Sequence, residues 1–151
     1  MSRLLSAPTA ERSFHLARIS LANLCLDTSP YNGHTTTGDA TWMGTPSLTL
    51  RGDQMQSRIA AGYAINAGCP QLISRSYREY EELASAVARR PSTARAVREC
   101  LARHRWTSAA FDTRRWVHTF DEGARMMWEL QRQKTEPMHL LLPNARHVAN
   151  V

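Results

Sequence analysis

The chain has 151 residues, a mass of 17.0 kDa and 19 basic against 13 acidic side chains, a formal net charge of +6. That length suits one ordinary domain rather than two, and 42% hydrophobic with 21% charged residues marks a globular chain rather than a disordered one. No apolar run approaches the roughly 20 residues that cross a bilayer, so a helical membrane protein is not expected.

The three cysteines, Cys25, Cys69 and Cys100, are odd in number, widely spaced and free of any C-x-x-C pair. This argues against a disulfide scaffold and a structural zinc site, and for a reducing compartment. Lys134 is the only lysine, so the basic charge is carried almost wholly by arginine. The guanidinium fork suits phosphate recognition, but scattered arginines outside a nucleic-acid motif read mainly as solvated helix faces.

Met1 to Arg18 is rich in Arg and Ser with the single acid Glu11, as organellar transit peptides are, and lacks the long apolar core of a secretory signal. Phe14, Leu16, Ile19 and Leu21 allow a short helix. Leu24-Cys25-Leu26 reads as a buried strand ending at Asp27, and Ser29-Pro30-Tyr31-Asn32-Gly33 as a turn. A helix begins within Thr35-Thr36-Thr37 and runs to Met43, stopped by Gly44. Pro46 to Leu50 is the next strand, closed by the turn Arg51-Gly52-Asp53. A second helix spans Gln54 to Ala67, ended by Gly68, and Gln71-Leu72-Ile73 forms a third strand. Strands alternating with helices predict a parallel sheet with right-handed crossovers.

The remainder is helical. Ser76-Tyr77-Arg78-Glu79 has capping-box spacing and opens a helix with Tyr80, Leu83 and Val87 on one face. Pro91 breaks that helix and starts another through Ala94, Val97 and Leu101. Asp112 caps a long final helix carrying Trp116, Phe120, Met127 and Leu130, and beyond Pro137 periodicity fades.

Chemistry is concentrated in Asn32-Gly33-His34-Thr35-Thr36-Thr37-Gly38-Asp39, between a strand and a helix. Unpaired N–H groups at a helix start, together with about half a positive charge from the helix dipole, attract phosphate without a metal. Gly33 permits close approach, His34 sits at the lip, and Asp39, one turn in, is placed to accept from ribose hydroxyls. The same residues also suit an ordinary helix cap. Neither G-x-x-x-x-G-K-[ST] nor G-x-G-x-x-G is present, and no two histidines have metal-ligand spacing.

The segment LANLCLDTSPYNGHTTTGDATWMGTPSLTLRGDQMQSRIAAG resembles the donor-nucleotide segment of protein O-linked N-acetylglucosamine (O-GlcNAc) transferases. GCPQLISRSYREYEELA and SAAFDTRRWVHTFDEGARMMWE resemble the C-terminal end of that family, so the similarity runs from about Ala10 to about Leu130. The resemblance implies an α/β fold: a Rossmann-like parallel sheet with helices, part of the C-terminal lobe of a two-lobed GT-B glycosyltransferase, with a helical C-terminal third. It implies that Thr35 and Thr36 bind the β-phosphate of UDP, that His34 lies against the diphosphate and that Asp39 holds the ribose. Ala10 and Arg12 match a uracil-contacting stretch, His15 a histidine that stacks on the base, and Arg18 a further basic residue. Arg12 stands where the family usually has lysine.

On this reading the domains are an extension over 1–9, a partial UDP-sugar lobe over 10–111, a crossing helix over 112–136 and a tail over 137–151. The donor is UDP-GlcNAc, the acceptors are Ser and Thr of proteins, transfer inverts the anomeric carbon, and no metal or other cofactor takes part. The catalytic groups are expected in an N-terminal lobe that this chain lacks, so the isolated chain is not expected to transfer sugar. A complementary polypeptide or self-association through the last helix is expected, with an intracellular, cytoplasmic or nuclear location and no membrane partner. The competing readings are a non-catalytic remnant that binds nucleotide or a partner, and a basic protein that binds RNA or DNA.

Overall fold

Cys25–Leu26 (β1), Ser47–Leu50 (β2) and Ile73–Ser74 (β3) form a parallel sheet in the order β1-β2-β3. Cys25 pairs with Ser47, Leu26 with Leu48, Thr49 with Ile73, and Leu50 with Ser74. The helices are Arg12–Ser20 (α1), Thr35–Trp42 (α2), Ile59–Asn66 (α3), Tyr77–Arg89 (α4), Pro91–His104 (α5) and Thr113–Arg132 (α6). The computed structural model describes residues 4–142, and these divide after Ser108 into two units. The first carries the sheet and α1 to α5, and the second carries α6.

The core of the first unit is small-grained. Ala64, Ala67, Cys69 and Leu72 meet Val87 of α4 and Val97, Cys100 and Leu101 of α5, while Leu48 of the central strand is almost wholly buried. Alanines let α3 lie close to its neighbours. Gly38 of α2 serves the same end, because an added Cβ would stand 2.8 Å from the Tyr63 hydroxyl oxygen of α3.

Several local signals act as the sequence suggests. Ser76 Oγ accepts from the Glu79 N–H at 3.1 Å, although the Glu79 carboxylate turns back to the N–H of Arg75 (2.8 Å) rather than to Ser76 itself. Pro91 opens α5 and Gly44, at φ +78°, follows α2. Asp112 Oδ1 accepts from the Arg115 N–H at 2.9 Å. Lys134, at φ 54°, takes the left-handed conformation just beyond α6.

Three expectations are corrected. The strand at Leu24-Cys25-Leu26 shrinks to two residues and lies at the sheet edge, with Leu26 59% exposed, because β2 is its only neighbour among the described residues. The helix expected over Gln54–Ala67 is broken into a 3-10 turn, Met55–Ser57, followed by α3. The carbonyls of Gln56 and Ser57 accept from the N–H groups of Asn32 and Gly52, each at 3.0 Å, and so are lost to helical pairing. Gln71 and Leu72 belong to a 3-10 turn begun by Pro70, which leaves β3 only Ile73 and Ser74. Of the tail, residues 143–151 lie outside the described residues, as do 1–3 of the expected extension.

Candidate functional site

The loop between β1 and α2 is organised by Asp27. Its backbone N–H donates to Leu48 O (3.0 Å), continuing the β1–β2 ladder. Its Oδ1 accepts from the Gly33 N–H and its Oδ2 from the Thr49 hydroxyl, both at 2.6 Å, and its carbonyl accepts from the Tyr80 hydroxyl at 2.8 Å. The Asp27 side chain thereby ties the turn to the central strand, and its backbone carbonyl anchors it to α4. Within the turn, Thr28 Oγ1 donates to Tyr31 O (2.7 Å), and Asn32, almost wholly buried, donates through Nδ2 to Thr28 O (3.0 Å).

This clamp delivers Gly33 to the start of α2. A Cβ there would lie 2.6 Å from Thr36 Oγ1 and 2.8 Å from Thr37 Oγ1, so the position admits only glycine without displacing those hydroxyls. The first amide of the region paired within the helix is that of Gly38, which donates to His34 O at 3.1 Å. Among the described residues, no acceptor takes the N–H groups of Thr35, Thr36 and Thr37. His34 stands at the N-cap position without capping through its side chain, and Thr35 and Thr36 are exposed while Thr37 is buried. The alternative of a self-capped helix start is therefore not what forms. The bare donors lie at the positive end of the helix dipole.

The His34 ring stacks on Tyr31, with centroids 4.7 Å apart, and its Nε2 lies 3.4 Å from Gln56 O. A carbonyl can only accept, so Nε2 carries a proton in that contact and Nδ1 of the neutral ring is left as the acceptor.

Helix α1 brings the second group. Arg12 Nη2 and Asp39 Oδ1 form an ion pair at 2.9 Å between α1 and α2. The Arg12 side chain is 69% exposed and that of Asp39 13%, so the pair is solvent-screened and worth at most about 1 kcal/mol. It is cheap to exchange for another partner. Arg18 Nη2 donates to His15 Nδ1 (3.3 Å) and its Nη1 to Pro8 O (3.1 Å), which fixes the stretch around half-buried Ala10 against α1. The structure thus gathers Arg12 with Asp39, and His15 with Arg18, on α1 beside α2, while His34 to Thr36 stand at the head of α2.

Two positioning contacts have no counterpart in the sequence reading. Arg98 of α5 donates through Nη2 to the carbonyls of Ser20 and Ala22, each at 3.0 Å, and Thr45 Oγ1 donates to Ile19 O at 2.8 Å. Both hold the C-terminal end of α1, where orphan carbonyls need donors. Asp27 is the other omission. A carboxylate at a strand end, before a glycine-bearing turn, is the signal that marks it.

Arg12, His15, His34, Thr35, Thr36 and Asp39 do not line the groove of about 940 Å³ between Leu24, Leu26, Val87, Ala94 and Arg98.

Comparison with known proteins places the chain. The model of glycosyl transferase family 41 matches residues 1–120. The chain is 34% identical over 138 residues to an Arabidopsis thaliana protein named "Probable UDP-N-acetylglucosamine–peptide N-acetylglucosaminyltransferase SEC", covering 91% of this chain and 14% of that one. It is 30% identical over 128 residues to the UDP-N-acetylglucosamine–peptide N-acetylglucosaminyltransferase of Caenorhabditis elegans, covering 85% and 11%. Among solved structures, a mutant of the Thermobaculum terrenum O-GlcNAc transferase superposes with a TM-score of 0.77 at 32% identity, covering 83% of this chain and 24% of that one. The chain therefore spans about one seventh or less of the two relatives' lengths, and its helix-rich build around a small parallel sheet is that of the solved GT-B enzyme. By sequence, by extent of match and by fold, the chain belongs to glycosyl transferase family 41.

Proposed function

We propose that this chain is the UDP-gripping part of the donor lobe of a protein O-GlcNAc transferase. The observation that carries the reading is the head of α2, where the amides of Thr35, Thr36 and Thr37 have no acceptor among the described residues and Gly33 lets the Thr36 and Thr37 hydroxyls pack against the turn. Thr35 and Thr36 take the β-phosphate, with amide and hydroxyl donors converging on one anion. His34 lies against the diphosphate. Asp39 exchanges Arg12 for a ribose hydroxyl, which frees the guanidinium for the uracil alongside Ala10. His15, held by Arg18, stacks on the base.

In the complete enzyme an acceptor Ser or Thr hydroxyl attacks the anomeric carbon, the bond to the diphosphate oxygen breaks, and configuration inverts. Negative charge grows on the departing UDP. Donors fixed by the fold stabilise that charge without reorganising at the moment of reaction, so magnesium or manganese is not needed. The proton-handling groups lie outside these donor-binding residues. Donor UDP-GlcNAc and protein acceptors follow from the relatives' names, and the free thiols suit a cytoplasmic or nuclear location. No helix of the described residues is long and apolar enough to cross a membrane.

Calorimetric titration with UDP tests the reading. Binding should occur without added divalent cations, and His34→Ala or Asp39→Ala should weaken it by more than about 1 kcal/mol, roughly fivefold. Indifference to UDP together with salt-sensitive RNA binding would instead support the basic nucleic-acid reading. A second reading is a nucleotide-binding remnant without chemistry. Sugar transfer to a peptide, with a complementary lobe supplied, separates the two.

A further inference from the structure

Cys69, Cys100 and His104 lie apart in the sequence yet meet in the fold. Cys69 follows the turn that ends α3, and Cys100 and His104 are four residues apart on one face of α5. One ligand atom from each lies within 4.8 Å of the others. Both thiols are buried, at 0% and 8% exposure, and His104 opens the cluster to solvent.

The histidine is held rather than loose. Its Nδ1 donates to Cys100 O at 2.9 Å, and its ring lies against Gly68, where an added Cβ would be 3.2 Å from Cγ. Nδ1 donation to a backbone carbonyl is the arrangement that fixes the tautomer of a metal-binding histidine and leaves Nε2 with its lone pair.

We propose that Cys69, Cys100 and His104 form a three-ligand site for a thiophilic d10 cation, Zn²⁺, with water as the fourth ligand. Two thiolates cancel the charge of the ion and the imidazole is neutral, so the occupied site carries no net charge and suits burial. Zn–S bonds of about 2.3 Å and Zn–N bonds of about 2.0 Å set donor separations near about 3.6 Å in a tetrahedron. The thiols reach this by turning away from Ala67 O and Gly68 O, to which they now donate at 3.3 Å. Both thiol protons leave to solvent, and no redox change is involved. Burial pushes the Cys69 thiol up to about 12, so at neutral pH the ion must displace its proton rather than find a thiolate ready. The ion would staple the end of α3 to the end of α5.

Cobalt(II) titration of the full chain, reduced with a phosphine rather than a thiol, tests the site. The expected result is a sulfur-to-cobalt charge-transfer band with tetrahedral ligand-field bands, stoichiometric to the chain, displaced by Zn²⁺ with release of two protons. His104→Gln, at an exposed position, should weaken Zn²⁺ binding by about tenfold or more, Cys100→Ser should abolish the charge-transfer band, and Cys25→Ser should leave both unchanged. Absence of the band in the folded wild-type chain overturns the proposal. So does a band that survives Cys100→Ser, or one lost in Cys25→Ser.

Discussion

The clamp at Asp27 makes a demanding prediction, because one side chain is asked to hold both the fold and the proposed phosphate site. Asp27→Ala removes two charge-assisted hydrogen bonds of 2.6 Å and strands the hydroxyl of Thr49, a wholly buried residue. Such bonds contribute about 1.5–3 kcal/mol each; taking the lower end for a half-exposed carboxylate gives a loss of about 3 kcal/mol. In a unit of this size that lowers the unfolding midpoint by roughly 12 °C or more. Without the clamp, Gly33 drifts from the head of α2, and UDP affinity should fall more than about tenfold.

Asp27→Asn separates geometry from charge. Its amide oxygen still accepts from Gly33, its NH₂ faces a Thr49 hydroxyl that turns to accept, and UDP should bind within about threefold of wild type. Urea unfolding and calorimetric titration of wild type, Asp27→Ala, Thr49→Val and the double variant complete the cycle. Contacting residues should couple by at least about 0.5 kcal/mol. An additive double variant, or a folded Asp27→Ala chain that binds UDP as wild type does, refutes the reasoning.

Two further outcomes follow from groups outside the site. Burial raises the thiols of Cys25 and Cys69, the latter to about 12 against an ordinary 9.0, and also raises the Tyr80 phenol. The folded chain then keeps protons that the unfolded chain releases, so stability is intact below the ordinary thiol range and declines as pH rises from about 9 toward about 12. Urea unfolding from about pH 8 to about pH 11 should show a shallower decline for Cys69→Ala than for wild type, and an unchanged slope would contradict this. On α6, Trp116, Phe120 and Met127 are 63%, 56% and 55% exposed at spacings of four and seven, with Trp116 and Phe120 stacked at 5.2 Å. The chain should self-associate through this stripe; light scattering should show mass rising with concentration, Trp116→Gln with Phe120→Gln should suppress the rise, and a monomer across the whole range would end the idea.

Much of the candidate site is legible along the chain because its parts are neighbours. Gly33, His34, Thr35, Thr36 and Asp39 lie within seven residues, and a strand–turn–helix junction presents amides whatever surrounds it. Arg12, His15 and Arg18 gain their meaning from family resemblance, and the Arg12–Asp39 pair then joins their helix to α2. The roles of Asp27 and Arg98 stayed hidden because their partners, Thr49 and Tyr80, Ser20 and Ala22, lie 22 to 78 residues away and include backbone carbonyls, which leave no mark in a sequence.

Helix starts and stops, the parallel alternation of strand and helix, and the glycine at the turn before α2 were determined by the sequence alone, since capping, glycine freedom and apolar spacing act within a few residues. The tertiary structure alone decided where those tendencies yield. It broke the helix after Gln54 because Asn32 and Gly52 claim the carbonyls of Gln56 and Ser57, and left β1 at an edge with Leu26 uncovered. It also brought Cys69 to Cys100 and His104. Each is a competition between a local preference and a hydrogen bond or contact made by a distant residue, and only the folded chain shows which is stronger.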